Sequence, residues 1–456
     1  MTQAEQLAAF VVRATYEDLS EEARQELKIR VLDALGCAIG ALNGPPLRML
    51  LAQLEDFGGN PLVTLLGGGK TAPDRAVLYN GALVRYLDFN DSYLAKNETC
   101  HPSDNLGAVL AASEYAGKSG KDFLTALAVA YQVQCRLSDV APVRAKGFDH
   151  TTQGAYAVAA GVAKALGLSQ KKTAYAIAIS GTANNALRVT RTGSLSHWKG
   201  LAYPHTAFAA TSDTFLAMHG ISGPLEVFEG NKGLMDAITG HFEIAWQAED
   251  LEIVRRTNIK KYNAEFHSQS ALEGILELRE AYHLHADEIE HIEIEIFDVA
   301  YHIIGGGEEG DKHKVQTKEE ADHSLPYMIA VALLDGEVMP RQYTPKRIQR
   351  HDVQTLLRKV DVRPNDEMNA LFPELMPCRI RVFLKDGRTL SVEKEDYEGY
   401  YTQPMSWPKA TEKFERLAQP FTDEELRQGI IEAVGRLETL EVQQLTELLT
   451  YVRRGE

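Results

Sequence analysis

The sequence has few cysteines, and none of them forms a recognisable motif. Only four occur among 456 residues: Cys37, Cys100, Cys135 and Cys378, with no Cys-x-x-Cys pair. This spacing argues against a structural zinc site, a cysteine-bound iron–sulfur cluster and a disulfide scaffold. It is typical of a protein of the reducing cytoplasm.

The sequence also lacks long apolar runs and an excess of basic charge. No stretch approaches the roughly 18 apolar residues of a membrane span, and the first residues do not have the pattern of a signal peptide. The formal net charge is −16, which excludes the basic face of a nucleic-acid-binding protein. We therefore expect a cytoplasmic protein with neither a membrane nor a nucleic acid as partner. An anionic substrate would need local cations to overcome the acidic surface.

The length predicts two or three domains, and helical spacing dominates the first half of the chain. Residues 154–165 and 174–186 are rich in alanine and glycine, which is typical of helices that pack closely at the centre of a bundle. Residues 67–70, Gly-Gly-Gly-Lys, lack the spacing of a phosphate-binding loop and are predicted to form a turn.

The pattern changes in the second half. Residues 289–299 alternate between apolar and polar as a strand does, and residues 378–392 read as a strand, an Asp-Gly turn and a second strand. We predict a mainly α protein. A large all-helical domain is formed by residues 1–258 and 404–456, and a smaller α+β domain, residues 259–403, is inserted before the C-terminal helices.

Groups able to transfer protons are concentrated at residues 88–101. Asp88 and Asp91 lie three residues apart at a predicted helix end, where neighbouring carboxylates raise each other's proton affinity. The alternative is that one caps a turn and the other is solvated. His101 precedes Pro102 at a helix start, which favours a neutral imidazole able to act as a base. An ordinary surface histidine is the alternative.

Other candidates lie at predicted helix ends further along the chain. His150 opens the first Ala- and Gly-rich helix and could be a base or a helix cap. Arg188, Arg191 and Lys199 form a cation cluster suited to carboxylate or phosphate, or simply a solvated loop. Tyr327 lies in the first turn of an apolar helix, where core packing is the usual role.

Together with residues 260–269 at the predicted domain junction, where ligand clefts are common, these groups include no metal or nucleotide motif. They suit proton abstraction beside a carboxylate without a cofactor, with cations holding a polyanionic substrate.

Five segments, in order along most of the chain, resemble the MmgE/PrpD family: residues 87–111, 149–168, 196–210, 260–274 and 322–336. The resemblance implies a helical domain built from the N-terminal part and the C-terminal tail, an α+β lid with a cleft beside it, a homodimer, and no metal or cofactor. Carried over by position, it implies catalytic roles for Asp88, His101, His150, Lys199, Lys260 and Tyr327. We further predict substrate binding by Ser92, Arg188, Arg191, Lys261, Glu265 and His267.

The activity implied by the resemblance is elimination of water from 2-methylcitrate, or citrate, in propionate catabolism by the methylcitrate cycle. One of His101 and His150 takes the C–H proton, and the other histidine or Tyr327 protonates the leaving hydroxyl. Glu265 and His267 favour a dehydratase. The alternatives are a decarboxylase or isomerase of a related tricarboxylate such as cis-aconitate. A non-catalytic helical scaffold is a further alternative, and it requires the polar residues to be dispersed.

Overall fold

The computed structural model describes the chain except for four short gaps, its described ranges being 1–95, 98–192, 195–307 and 310–454. Within these ranges helices dominate and the strands form small sheets. The predicted fold class, mainly α with a smaller α+β region, is confirmed. Among the described residues, no helix combines the length and the apolar character that crossing a membrane requires.

The chain forms two compact units, one made of Met1–Thr257 with Ser406–Glu456 and the other of Asn258–Met405. The predicted divisions fall after residues 258 and 403. Residues 1–257 contribute nine α-helices in the described ranges: α1 Gln3–Arg13, α2 Glu21–Gly40, α3 Pro45–Phe57, α4 Pro73–Tyr86, α5 Leu106–Tyr115, α6 Gly120–Val140, α7 Thr151–Leu166, α8 Gln170–Ala183 and α9 Trp198–Met218. They also contribute two short antiparallel pairs, β1 Val63–Thr64 with β2 Lys70–Thr71, and β3 Tyr93–Ala95 with β4 Glu98–Cys100.

The segment 67–70 is the turn that the sequence predicts. The three glycines have φ values of 85°, 102° and 88°, a left-handed region that glycine enters without steric cost. They connect β1 to β2. The strands β3 and β4 were not predicted, because three-residue strands leave little alternation to detect.

Helix α7 is buried along nearly its whole length, as predicted for an Ala- and Gly-rich helix. A Cβ atom on Gly154 would lie only 2.4 Å from the Tyr203 ring of α9, and one on Gly161 would lie 2.9 Å from Val109 of α5. These glycines therefore allow α5 and α9 to approach α7 closely. The prediction for residues 174–186 holds only in part, because α8 ends at Ala183 and its last residues are exposed.

The second unit contains short helices and one four-stranded sheet in its described residues. The helices are α10 Gln269–Tyr282, α11 Asp298–Ala300, α12 Lys318–Ala321, α13 Leu325–Asp335, α14 Pro345–Ile348, α15 His351–Leu356 and α16 Asp366–Leu371. The strands are β5 Ile289–Ile296, β6 Val360–Pro364, β7 Cys378–Leu384 and β8 Thr389–Lys394, in the order β6-β5-β7-β8.

The predicted strand and hairpin correspond to β5, β7 and β8. In β5 the isoleucines are buried, while Glu295 on the opposite face forms an ion pair with Arg379 at 2.7 Å. Strand β6 was missed. It pairs parallel to β5, with Ile292 opposite Val360.

The chain then returns to the first unit through α17 Trp407–Ala418, α18 Glu424–Gly435 and α19 Val442–Thr450. Helix α17 packs against α2 at two glycines: a Cβ on Gly36 would lie 3.2 Å from Phe414, and one on Gly40 would lie 3.1 Å from Leu417. The C-terminal segment therefore completes the core around α2.

Candidate active site

Helix ends and the segments between helices bring most of the predicted residues of the first unit together. Asp88 follows α4, and His101 precedes the 3₁₀ helix Pro102–Asn105. His150 is the N-cap of α7, and Lys199 lies in the first turn of α9. The remaining two cations, Arg188 and Arg191, lie in a 3₁₀ helix before α9.

Asp88 lies between two cations. Its backbone has φ 54°, a left-handed conformation that Asp tolerates better than most residues. One carboxylate oxygen lies 2.7 Å from Nη1 of Arg85, and the other lies 3.4 Å from Nζ of Lys199. The structure therefore joins two predicted site residues, Asp88 and Lys199, through an ion pair.

Arg85 connects this pair to a second buried carboxylate. Its Nε atom lies 3.5 Å from Oδ2 of Asp104, while Oδ1 of Asp104 accepts a hydrogen bond from Asn90 at 2.8 Å. Burial raises the pKa of Asp104 to about 7, although the charge of Arg85 opposes the rise. Asp104 is therefore a buried acid whose charge changes near neutral pH.

Asp91 differs from Asp88 in the groups that its carboxylate contacts. Its carboxylate is fully buried and accepts hydrogen bonds from the Ser103 backbone at 3.0 Å and the Tyr131 hydroxyl at 2.7 Å. Burial raises the pKa of Asp91, and these hydrogen bonds oppose the rise. Asp91 thus acts as an internal acceptor, whereas Asp88 is bound by cations.

The backbone of Asp91 orients His101. Nδ1 of His101 lies 2.7 Å from the Asp91 carbonyl oxygen and 3.2 Å from Oγ of Ser92. Because a carbonyl can only accept, Nδ1 carries the proton, and Nε2 carries the lone pair of the neutral ring. Ser92, predicted to bind substrate, therefore contacts the predicted catalytic histidine.

His150 lies beside His101, with ring centroids 5.6 Å apart in an edge-on arrangement. It is 2% exposed, and the Tyr203 ring stacks against it at 6.2 Å. Burial lowers the pKa of His150 to about 3; Arg191 and Arg85 lower it further and Asp149 opposes them. The imidazole is therefore neutral at physiological pH.

Asp149 connects His150 to the cation cluster. Its fully buried carboxylate lies 3.3 Å from Nδ1 of His150, 2.7 Å from Nε of Arg191 and 3.8 Å from Nη1 of Arg188. Burial would raise the pKa of Asp149, but His150, which is protonated in the acidic range where Asp149 titrates, and the charge of Arg191 outweigh it and hold that pKa below its usual range. Nε2 of His150 is buried and has no hydrogen-bond partner among the described residues.

Two of the carboxylate–histidine pairs in the second unit are largely buried. Nδ1 of His267 lies 2.7 Å from Glu265, and Nδ1 of His323 lies 2.5 Å from Asp322. Burial would raise the pKa of Glu265, but His267, His323 and Lys260 outweigh it and lower that pKa to about 2. Glu265, His267 and Lys260, all predicted, are therefore neighbours within this unit.

Two other predicted residues have different partners. Lys261 forms ion pairs with Glu273 at 2.6 Å and Glu398 at 3.0 Å. The Tyr327 hydroxyl is fully buried and donates to the Gln342 carbonyl oxygen. Burial also raises the pKa of Tyr327. The polar groups of Lys261 and Tyr327 thus contribute to the internal structure of the second unit.

Sequence reasoning missed Arg85, Asp104, Asp149 and Tyr203. Arg85 could have been found, because it stands three residues before Asp88 and side chains at that spacing on a helix meet. The contacts of Tyr203 and Asp104 depend on packing between distant segments. Across the described ranges, no group of three or more His, Cys, Asp or Glu side chains is placed to hold a metal ion.

Two protein-family profiles match this chain. Residues 5–247 match the profile of the MmgE/PrpD N-terminal domain, and residues 262–439 match that of the MmgE/PrpD C-terminal domain.

Among curated relatives, a 2-methylcitrate dehydratase of Escherichia coli K12 is 27% identical over 95% of this chain and 94% of its own length. An alkylcitrate dehydratase of a fungal species is 27% identical over 95% and 90%, and a cis-aconitate decarboxylase of Mus musculus is 25% identical over 96% and 91%. The two profiles together span most of the sequence, so the chain belongs to the MmgE/PrpD family.

Proposed function

We propose that this protein is a dehydratase that removes water from 2-methylcitrate to give 2-methyl-cis-aconitate, without a cofactor, in propionate catabolism by the methylcitrate cycle. The observation that carries the proposal is a buried, neutral His150 next to His101 and close to several cations. Several relatives that match most of this chain are named dehydratases, so the chain is a lyase of the dehydratase type. What we propose is the identity of the substrate.

The charges of the first unit suit a substrate with several carboxylates. Lys199 and Arg85 pair with Asp88, and Arg188 lies 3.8 Å from Asp149. Burial lowers the pKa of Arg188, and the nearby Arg144 charge lowers it further. An anionic ligand would relieve that repulsion between cations, which favours its binding in a site of low dielectric.

We propose His150 as the base. It takes the proton from the carbon that lies next to a substrate carboxylate, and the electrons of the broken C–H bond form the new C=C bond. The C–O bond to the tertiary hydroxyl breaks as the double bond forms. Negative charge that develops on the adjacent carboxylate is stabilised by Lys199 and Arg188, which act where charge increases in the transition state.

We propose His101 as the acid. With Nδ1–H held by the Asp91 carbonyl, a protonated His101 donates from Nε2 to the leaving hydroxide, so that water departs. The proton gained by His150 and the proton lost by His101 balance, and exchange with solvent restores both rings. A base and an acid placed this close together suit a reaction that needs both in one step.

For the second unit, Lys260, Glu265 and His267 remain proposed substrate contacts. Their mutual electrostatic coupling would present a cation beside an imidazole, a combination that suits carboxylate binding. For Lys261 and Tyr327 we propose a structural role instead, because their polar groups already bind Glu273, Glu398 and the Gln342 carbonyl.

We also propose a cytoplasmic homodimer. Three large apolar side chains near the cation cluster are well exposed: Leu187 at 60%, Val189 at 70% and Trp198 at 46%. Exposed apolar surface of this kind favours association. Light scattering after gel filtration would test this, and a monomer at micromolar concentration would refute it.

The experiment for the activity is a substrate panel in the presence of excess chelator. We expect turnover of 2-methylcitrate to a product that has lost water, with slower or no turnover of citrate, isocitrate and cis-aconitate. His150→Gln should abolish release of deuterium from substrate labelled at the reacting carbon, while His219→Gln, at the exposed end of α9, should turn over normally. Normal turnover by His150→Gln would refute the assignment of the base.

A decarboxylase is the second candidate, because the Mus musculus relative of that name matches 96% of this chain. Product mass decides between the two reactions. Loss of carbon dioxide from cis-aconitate, with no loss of water from 2-methylcitrate, would establish the decarboxylase.

A further inference from the structure

Lys413, on the C-terminal helix α17, reaches the loop that contains Asp88 and Asp91. Its Nζ atom donates to the carbonyl oxygen of Phe89 at 2.8 Å and lies 2.6 Å from Oδ1 of Asp33 in α2. The same ammonium lies 3.7 Å from the centre of the Phe89 ring, a cation–π distance. Lys413 is 6% exposed and Asp33 is 1% exposed.

The carbonyl that Lys413 holds is well placed to affect chemistry. Phe89 follows Asp88, which has a left-handed backbone and pairs with Lys199. Asp91, two residues further on, presents the carbonyl that fixes the ring of His101. A shift of the Phe89 peptide would therefore move both the Asp88 carboxylate that pairs with Lys199 and the Asp91 carbonyl that orients His101.

We propose that Lys413 is a positioning residue for the reaction: by holding the Phe89 carbonyl it sets the loop from Asp88 to Asp91 and, through that loop, the orientation of His101. The proposal rests on the proposed function, in which His101 is the acid. The sequence gives no hint of this role, because Lys413 stands 324 positions after Phe89 on a helix that reads as an ordinary amphipathic segment.

A second lysine makes the proposal testable. Lys28 of α2 is also 6% exposed, and its Nζ lies 3.2 Å from Glu438 and 3.2 Å from the Gly435 carbonyl oxygen. Each lysine thus joins α2 to the C-terminal segment by an ion pair and also donates to a backbone carbonyl. Only the carbonyl held by Lys413 belongs to the loop that carries Asp88.

The first comparison is between Lys413→Met and Lys28→Met, both measured well below their melting temperatures. Displacing reacting groups by about 1 Å can cost on the order of 100-fold in rate, so we expect kcat of Lys413→Met to fall by about 10- to 100-fold. We expect KM to change by less than about threefold, because the displaced groups act in the transition state. Lys28→Met should retain kcat.

A double variant separates positioning from stability. Lys413→Met alone leaves the Asp33 charge buried and unpaired, which is strongly destabilising, whereas replacing both members of a buried pair by apolar residues is often neutral. Asp33→Leu/Lys413→Met should therefore recover most of the lost melting temperature and keep the low kcat. Recovery of kcat together with stability would overturn the proposal.

Hydrogen–deuterium exchange gives a readout that needs no activity. We expect amides of residues 87–92 to exchange faster in both Lys413 variants than in Lys28→Met. If the wild type turned over no substrate, the proposed function would fail, and this exchange comparison would still decide whether Lys413 orders the loop. Equal exchange in all variants, or equal loss of kcat in Lys28→Met, would overturn the positioning role.

Discussion

Arg191 binds the carboxylate of Asp149 through two nitrogen atoms: Nε lies 2.7 Å from Oδ2 and Nη2 lies 3.4 Å from Oδ1. Bidentate pairs of this kind fix geometry as well as charge. The guanidinium of Arg191, predicted from the sequence to bind substrate, is therefore directed at Asp149. The same carboxylate lies 3.3 Å from Nδ1 of His150, so Arg191 and Asp149 together orient that ring.

Replacing Asp149 by asparagine should change the tautomer of His150. A carboxylate favours a proton on the nearby Nδ1, whereas the amide of asparagine can donate to it and leave the proton on Nε2. The base would then lack its lone pair, and loss of the corresponding carboxylate in serine proteases lowers kcat by about 10⁴-fold. We expect a loss of at least about 100-fold in kcat for Asp149→Asn, with ¹⁵N NMR of His150 showing the altered tautomer.

Asp139→Asn is the matched control for that variant. It weakens another Arg–Asp pair of the first unit, with Arg136 at 2.8 Å, and should preserve both kcat and the His150 signals. An unchanged tautomer in Asp149→Asn would contradict the orienting role.

Asp104 should make the stability of the first unit depend on pH. Its folded-state pKa is raised by burial to about 7 from an ordinary value of 3.8. The folded state therefore binds a proton that the unfolded state has released, and stability is lost as pH rises from about 4 to about 7. The slope contributed by this group is at most about 1.4 kcal/mol per pH unit, and it vanishes above that window.

The measurement is urea denaturation of the wild type and Asp104→Asn at several pH values. Because asparagine does not titrate, the stability of the wild type relative to Asp104→Asn should fall between pH 5 and pH 7 and then level off. If the stability difference between the wild type and Asp104→Asn were constant across this range, Asp104 would have the same charge in the folded and the unfolded state.

The neighbouring lysines Lys260 and Lys261 should respond differently to substitution. Lys261 forms ion pairs with Glu273 and Glu398, so Lys261→Met should lower stability by about 1–2 kcal/mol and leave kcat/KM nearly unchanged. Lys260 is 1% exposed and lowers the pKa of Glu265. Lys260→Met should lower kcat/KM by about 100-fold, the lower end of the scale for removing one donor to developing charge.

Each lysine variant serves as the control for the other, with kcat/KM and melting temperature measured on both. A loss of kcat/KM in Lys261→Met that equals the loss in Lys260→Met would restore the predicted substrate-binding role of Lys261. Normal kinetics in Lys260→Met would remove Lys260 from the site.

Gly154→Ala should disturb both stability and the ring of His150. The new Cβ would lie 2.4 Å from Tyr203, and Tyr203 stacks on His150. Overpacking of this kind costs about 1–3 kcal/mol. Gly429→Ala in α18 is the control, because its Cβ would meet nothing nearer than Leu448 at 3.8 Å, and a helical Gly→Ala change gains up to about 1 kcal/mol. Melting temperatures moving in opposite directions would agree with both expectations.

Elements with strong local signals could be predicted from the sequence. Helix α2 begins where Ser20 caps it, with the serine oxygen accepting from Ala23, and β5 shows clear alternation. Strand β6 could not be predicted, because five residues ending in Pro364 have little pattern of their own and are ordered by pairing with β5. Such pairing between distant segments is not visible in local sequence.

The sequence allowed most residues of the candidate site to be predicted, but not the partners that each of them contacts. His101, His150 and Lys199 were chosen because polar groups at helix ends next to apolar helices are often functional. That Lys261 pairs with Glu273 and Glu398 depends on side-chain direction, and spacing does not reveal it. The role of Lys413 depends on a contact between the tail and the loop after α4, so no local pattern indicates it.

Asp88 has the left-handed backbone that glycine usually supplies after the end of a helix. An aspartate in this conformation costs about 1 kcal/mol relative to glycine. Its carboxylate, however, forms ion pairs with both Arg85 and Lys199. A glycine variant would remove this backbone cost but would also take from the buried Arg85 one of its carboxylates, so Asp88 keeps a strained backbone because the charges beside it need its carboxylate.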